Sequence, residues 1–370
     1  MFEPRKLVLI LGNGFDLDLG LKTSYKDFWE SEYCPKDYPA PLIRHLNSRW
    51  EDNLDSVRWY DLENELLFYA HHSEKEDVIT EEEQEYLNEN RDYDLTLKSR
   101  YTGPDDTFIN LYEKGIIKVE GPLHSTYVNN REDLNHTAVW RDNKAFKLIK
   151  EGLCKYLESL QPVIPMSNKI AFQVLALLDE EALKDFIVDV YTFNYTKVLL
   201  NGRKPDTAKV HYVHGSCDNG KIIIGTRDDK EFSPIYDFLQ KSFDPSFNPP
   251  AIVADLQDAD EVVIFGHSIG ENDRQYFKAF FKQQTDYTKK HRKDIAIFTR
   301  DSVSELQIKR SLQSMTDGNL STLFSLNNLQ IIKTGELEED QEKLLQFLVK
   351  HGKDELAARE FIGKCMKLNS

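Results

Sequence analysis

The chain lacks the features that mark several common protein classes. Its four cysteines in 370 residues include no C-x-x-C pair, which argues against a disulfide framework and a structural zinc site. No apolar run approaches the roughly 20 residues of a membrane span, and the run after Lys6 is too short for a signal peptide. Its 47 basic residues, outnumbered by 63 acidic ones, form no stripe that could neutralise phosphates. We therefore expect a cytoplasmic protein that binds neither nucleic acid nor membranes.

Short apolar segments of the kind that form buried strands recur along the chain. Each is β-branched or aromatic and is bounded by Gly, Asp, Asn or Thr, as expected for a sheet covered on both faces. These segments are Leu7–Leu11, Phe186–Tyr191, Val210–Val213, Ile222–Ile224, Glu261–Phe265, Ile295–Phe298 and Leu329–Ile332.

Helical patterns separate several of these strands, at Ala171–Phe186, Asp273–His291 and Ser302–Gln313. Alternation of strand and helix predicts an α/β fold with a doubly wound, mostly parallel, Rossmann-like sheet. The long charged stretch after the first strand predicts a large helical insertion. We expect a core of residues 1–30 and 165–335, a mainly helical insertion at 31–164 with disordered tips around 91–104, and C-terminal helices at 336–370 packed on the core.

A glycine turn follows the first strand. Gly12-Asn13-Gly14 precedes a helix that starts near Phe15, so backbone N–H groups at the helix start can point at a pyrophosphate. A tight structural turn is the alternative. The turn departs from the dehydrogenase fingerprint, because Leu17 stands where the third glycine belongs.

Two acidic positions in this region leave alternatives open. Asp16 either caps its helix or hydrogen-bonds a ribose hydroxyl. Asp18 lies two residues further on, so the two carboxylates do not share a helix face and a metal chelate is not expected. Glu63, in the segment RWYDLENELL, lies either on a solvated helix face or over the ligand crevice.

Polar or small residues directly follow four of the predicted strands. The carboxyl ends of parallel strands converge on one crevice, so we expect these residues to form one site. His211 lies within its strand, which favours a structural role. The residues after the strands are Asn194, His214, Gly225, Thr226, Gly266, His267 and Ser268.

Five segments together resemble the AbiH family of phage abortive-infection proteins. They are LGNGFDLDLGLKTSYKDF, RWYDLENEL, YTFNYT, VHGS and IFGHSIGENDRQYF. This family is in turn similar, at a distance, to the sirtuin-like NAD-binding Rossmann proteins.

The sirtuin likeness extends to individual residues. Gly12, Gly14, Gly20 and Leu21 match the sirtuin glycine loop, and Thr192 with Asn194 matches its T-x-N segment. His214-Gly215 matches the catalytic pair, while Gly266 and Ser268 match a loop near the adenosine ribose.

Three positions depart from the sirtuin pattern. Only Cys217 lies where sirtuin deacylases carry two zinc cysteine pairs, which argues against deacylation. Thr196 stands where an aspartate is usual, and Asp16 stands where sirtuins have a serine.

The resemblance implies an anti-phage effector that hydrolyses NAD without a metal. His214 would be the base and Asn194 would orient ribose and water, with Asp16 as a ribose clamp. Residues 12–15 would cradle pyrophosphate, and residues 266–268 would hold the adenosine side. We also expect a restraint on activity, released by a phage-derived trigger or by homo-oligomerisation. The alternative is a nucleotide-sensing or partner-binding protein without turnover, and a nuclease is disfavoured.

Overall fold

The computed structural model divides the chain into two compact units. Its described residues are 4–52, 61–76, 85–86, 117–120, 124–127, 131–160, 166–181, 186–200, 205–227, 234–288 and 292–369. The predicted tips around residues 91–104 lie outside these ranges. The first unit comprises Met1–Asp27, Cys154–Ile223 and Ser246–Ser370, and the second comprises Phe28–Leu153 and Ile224–Pro245.

The described strands form one large sheet and two small ones. A six-stranded parallel sheet has the order β10-β9-β8-β1-β4-β5, while β2 pairs with β3 and β6 with β7 in separate antiparallel pairs. Their bounds are β1 Arg5–Leu11, β2 Ile117–Glu120, β3 His124–Tyr127, β4 Phe186–Thr192, β5 Lys209–Tyr212, β6 Gly215–Ser216, β7 Lys221–Ile222, β8 Glu261–Phe265, β9 Asp294–Thr299 and β10 Asn328–Lys333.

The α-helices are numbered along the chain in the same way. Their bounds are α1 Asn13–Asp18, α2 Tyr25–Glu30, α3 Pro41–Asp52, α4 Leu62–Glu76, α5 Arg131–Ser159, α6 Ile170–Glu181, α7 Ile252–Asp258, α8 Arg274–Gln283, α9 Ser302–Met315, α10 Leu320–Leu326, α11 Leu337–Lys350 and α12 Glu355–Asn369. No helix in the described part of the chain is long and apolar enough to span a membrane.

The strand order of the large sheet contains one reversal. The chain leaves the central β1, adds β4 and β5 outward on one side, and then returns to place β8 on the other side of β1. From there β9 and β10 continue outward. Rossmann proteins share this order, and they bind dinucleotides where it reverses. The reversal here lies between β1 and β8.

Side chains of β1 alternate between two hydrophobic clusters, as the two-residue period of a strand requires. Leu7, Leu9 and Leu11 pack into a cluster that includes buried residues of α6, α11 and α12. Val8 and Ile10 pack into the opposite cluster with buried residues of α7, α8 and α9. Helices therefore cover both faces, and the predicted doubly wound α/β fold is confirmed.

One predicted strand does not belong to the large sheet. Residues 222–224 were expected there, but only Lys221–Ile222 is extended, and it pairs antiparallel with Gly215–Ser216. The chain reverses at Gly220, whose φ of 64° lies in the left-handed region that glycine adopts without a steric penalty. This reversal produces a short ribbon beside the sheet instead of a seventh parallel strand.

Two predicted helices are shorter than their sequence patterns indicate. The helix predicted from Asp273 to His291 ends at Gln283, because its buried aromatic residues stop at Phe281 and the polar residues after it extend no apolar face. The helix predicted to reach Phe186 is described as far as Glu181, and Phe186 itself lies in β4.

The second unit has its own buried polar anchor. Asp142, on α5, is fully buried. Its carboxylate accepts hydrogen bonds from the backbone N–H of Leu42, at 2.9 Å, and from the Tyr69 hydroxyl, at 2.6 Å. One carboxylate thus joins α3, α4 and α5, and these hydrogen bonds offset the cost of burying it.

Candidate functional site

The glycine turn after β1 is bonded to the loop after β8. The N–H of Gly12 donates to the Phe265 carbonyl at 2.9 Å, and that of Gly14 donates to the Gly266 carbonyl at 2.8 Å. The Phe15 N–H donates back to Gly12 at 2.9 Å. These three N–H groups, expected to face a pyrophosphate, therefore have partners within the protein.

Asn13 has donor capacity that the described residues do not use. Its Oδ1 accepts a hydrogen bond from the Thr23 hydroxyl at 2.6 Å, which fixes the amide orientation. Its buried Nδ2 has no hydrogen-bond partner among the residues that the structure describes. Since buried donors are normally paired, this amide is a candidate donor to a ligand oxygen.

Asn194 links the ends of β1 and β4. Its Nδ2 donates to the Gly12 carbonyl at 3.0 Å, and its backbone N–H donates to the Thr192 hydroxyl at 3.1 Å. Both Asn194 and Thr192 are buried. The two residues of the T-x-N segment therefore hold the glycine turn against the neighbouring strand.

Asp16 is a buried carboxylate in the same cluster, with only 3% of its surface exposed. The Thr196 hydroxyl donates to it at 2.6 Å, and the Asn194 side chain also hydrogen-bonds it. Burial raises the pKa of Asp16 to about 7, and these two hydrogen bonds oppose the shift. Asp16 can therefore exchange a proton near neutral pH.

Asp18 has a different role from Asp16. Its carboxylate accepts a hydrogen bond from the Ala171 N–H at 2.9 Å and a further one from the Ile170 N–H. These are the first N–H groups of α6, so Asp18 satisfies donors at that helix start. The two acids thus have separate partners, in keeping with their spacing.

His214 and His267 meet at one carboxylate, that of Asp273. His214 Nε2 lies 2.9 Å from Asp273 Oδ1, and His267 Nε2 lies 3.4 Å from Asp273 Oδ2. Phe193 packs against both imidazoles, with ring centroids 5.3 Å from His214 and 4.3 Å from His267. An imidazole held by a carboxylate in apolar surroundings is an arrangement suited to general base chemistry.

The loop after β8 completes this edge of the sheet. Gly266 adopts a φ of 65° and packs directly on the backbone of Gly14 and Phe15. His267 is buried beneath the loop, while Ser268 is exposed at its tip. The loop thus exposes the Ser268 hydroxyl, while Gly266 and His267 beneath it are closely packed.

Most of the predicted site residues lie together in the first unit, at the carboxyl ends of β1, β4, β5 and β8. They are Gly12, Asn13, Gly14, Phe15, Asp16, Thr192, Asn194, His214, Gly266, His267 and Ser268.

Three predicted residues lie in the second unit. Glu63 forms a buried ion pair with Lys241 at 3.0 Å. Gly225 and Thr226 follow the short ribbon instead of a strand of the large sheet, and the Thr226 N–H donates to the Leu239 carbonyl. The expectation that Gly225 and Thr226 end a strand of that sheet is therefore wrong.

Sequence reasoning did not identify Asp273 as part of the site. Asp273 immediately precedes α8, and its position indicated only the start of an amphipathic helix. The available signal was its place in the segment GENDRQYF, directly after the Gly266–Ser268 loop.

Comparison with known proteins adds one result. No curated protein and no solved structure matches the chain significantly. A family model described as "Bacteriophage abortive infection AbiH" matches residues 8–291, which include every residue of the candidate site. The match covers more than half of the chain, and the protein therefore belongs to the AbiH family of bacteriophage abortive infection proteins.

Proposed function

We propose that this AbiH protein acts in phage defence by hydrolysing NAD at the bond between nicotinamide and ribose. The observation that carries this proposal is the meeting of the glycine turn with the loop after β8, where the Rossmann strand order reverses. Dinucleotides bind at that position in folds of this order. The polar groups around it are suited to a ribose and to activation of water.

The chemistry requires no acid on the leaving group, because cationic nicotinamide departs as a neutral ring with the electron pair of the broken C–N bond. The site must stabilise an oxocarbenium-like ribose and deliver water to it. His214 accepts the proton of that water, and Asp16 holds a ribose hydroxyl with its carboxylate. The products are nicotinamide, ADP-ribose and a proton.

Contacts of the remaining residues support the roles that we propose for them. Asn194 positions the glycine turn through Gly12 and touches Asp16, so it orients the ribose side. The Nδ2 of Asn13 replaces the backbone N–H groups of Gly12, Gly14 and Phe15 as the donor to ligand phosphate. Ser268, exposed on the neighbouring loop, holds the adenosine side.

Nicotinamide release from NAD tests this proposal, using the full chain and its His214→Ala and Asn194→Ala variants. Loss of a general base lowers rates by about 10²–10⁴-fold, and we expect this loss for His214→Ala with NAD-linked thermal stabilisation retained. His211→Ala is the matched control, because His211 also pairs with an aspartate, Asp189, at 2.8 Å but lies within β5. It should release nicotinamide at the normal rate.

Other outcomes separate the alternatives. Release that survives His214→Ala would keep the enzyme and remove His214 as the base. Saturable stabilisation by NAD without release would instead indicate a nucleotide-sensing protein. If the protein releases no nicotinamide and NAD does not stabilise it, the proposed dinucleotide site at this edge is contradicted.

A further inference from the structure

We propose that Asp273 is a positioning residue that fixes His214 in the tautomer with its proton on Nε2, so that Nδ1 is the basic nitrogen. His267 contacts Asp273 in turn, and the Ile269 N–H donates to His267. This inference rests on the proposed role of His214 as the base. It concerns a residue that was not part of the predicted site.

We call the series of contacts from Ile269 through His267 and Asp273 to His214 the relay. It begins at a backbone donor. The Ile269 N–H donates to Nδ1 of His267 at 2.9 Å, so that nitrogen is an acceptor without a proton. A neutral imidazole carries its proton on the other nitrogen. His267 therefore has its proton on Nε2, which faces Asp273 Oδ2 at 3.4 Å.

The carboxylate transmits this arrangement to His214. An ionised carboxylate only accepts hydrogen bonds, so His214 Nε2, at 2.9 Å from Oδ1, must be the donor. The neutral His214 ring then has its lone pair on Nδ1. A base that takes a proton from water or ribose must therefore use that nitrogen.

The backbone that starts the relay is strained. Ile269 is fully buried and has a φ of 51°, a conformation that β-branched residues rarely adopt. Such strain persists only where the surrounding structure determines it, and it is concentrated at functional sites. Here the strained residue supplies the N–H that sets the tautomer of His267.

A second aspartate–histidine pair in the same unit provides a matched comparison. His211 Nε2 lies 2.8 Å from Asp189 Oδ1, and its ring stacks on Tyr191 at 4.6 Å. This pair has the same chemistry as His214–Asp273, but it lies between β4 and β5. A purely structural carboxylate–imidazole pair should behave like this one.

Replacing Asp273 by asparagine tests the relay. The two imidazoles lie at different oxygens of Asp273, and in asparagine an NH₂ group replaces one of these, so only one imidazole still faces an acceptor. Because the Ile269 N–H keeps the proton of His267 on Nε2, the amide oxygen should turn to His267 and its NH₂ to His214. His214 must then move its proton to Nδ1.

Two measurements follow the Asp273→Asn change. Ring ¹⁵N chemical shifts of histidine-labelled full chain, assigned with His214→Gln, should show the His214 proton on Nε2 in the wild type and on Nδ1 in the variant. Nicotinamide release should fall in kcat with little change in KM. A wrong tautomer costs about 10⁴-fold in the serine protease triad, and a loss of at least 10²-fold is expected here. Asp189→Asn should perturb only the His211 ring and leave kcat unchanged.

The ring spectrum is informative even if the variant does not fold or the enzyme proposal fails. A wild-type His214 with its proton on Nδ1 would overturn the relay, whatever the catalytic result. The relay would also be overturned if Asp273→Asn left the His214 tautomer unchanged. Absence of nicotinamide release from the wild type would instead contradict the proposed function, and the tautomer assignment would still be decided.

Discussion

Gly266→Ala should lower the free energy of unfolding by about 4 kcal/mol. A Cβ atom on Gly266 would lie 2.3 Å from the Phe15 nitrogen and 2.4 Å from the Gly14 carbonyl carbon. These are backbone atoms of the first turn of α1, so no side chain can rotate away. The φ of 65° adds the cost of the left-handed conformation. Urea denaturation of the purified variant and wild type measures the difference.

Gly220→Ala is the matched control for this prediction. Gly220 has nearly the same φ, 64°, but a Cβ there would meet nothing within 4 Å. Its substitution should therefore cost only the backbone term, about 1–2 kcal/mol. Equal losses for the two variants would show that the close packing of the two loops contributes nothing to stability.

The packing of Gly266 also explains how the site is assembled. Gly12 and Gly14 both lie against the loop after β8. A Cβ atom added to Gly12 would lie 2.5 Å from the His267 Cα, and one added to Gly14 would lie 2.6 Å from the Gly266 Cα. The glycine turn thus has the close packing of a tight structural turn. It also lies where the strand order reverses, which is the position expected of a pyrophosphate-binding turn. The glycines bring the two loops together, and in the proposed function the Asn13 side chain supplies the donor to ligand phosphate.

Local sequence patterns predicted the strands and the residues at their ends. A buried strand needs a short apolar run, and the polar residues after it lie close by in the chain, as Asn194 lies two residues after the end of β4. Residues 261–265 form β8 with the predicted bounds. These features depend on neighbours in sequence, so one chain is enough to identify them.

Features that depend on distant contacts were not predictable in this way. Asp273 joins the site because α8 starts beside the ends of β5 and β8, and no local pattern records that approach. Gly225 and Thr226 were misplaced because Gly220 reverses the chain, and a single glycine does not reveal whether a turn leads into the sheet or away from it. Strand pairing likewise depends on tertiary packing.

Two departures from the sirtuin pattern are partners in the structure. Asp16 stands where a serine is usual and Thr196 where an aspartate is usual, and the Thr196 hydroxyl donates to the Asp16 carboxylate at 2.6 Å. A hydroxyl and a carboxylate are both present, with their positions exchanged. The structure therefore shows the two positions in direct contact with each other.

Asp16→Asn should stabilise the protein at pH 8 while weakening NAD-linked stabilisation. The pKa of Asp16 is about 7 in the folded protein and 3.8 as a free side chain, so the folded state binds its proton more tightly. The stabilisation from that proton is complete below pH 3.8 and is lost as pH rises through about 7. The difference corresponds to about 4 kcal/mol at pH 8, a cost that a neutral amide does not carry.

The pH dependence separates this effect from general changes in stability. In urea denaturation between pH 4.5 and 8.5, the advantage of Asp16→Asn should grow with pH and level off above pH 8. Thr196→Val removes the donor that favours the charged form, so its deficit against the wild type should be largest at high pH. A difference that stays constant with pH would show that Asp16 does not titrate in this range. A buried carboxylate that is expected to lower stability at neutral pH, at the edge where the strand order reverses, fits the proposed role of Asp16 as a charged acceptor for a ribose hydroxyl.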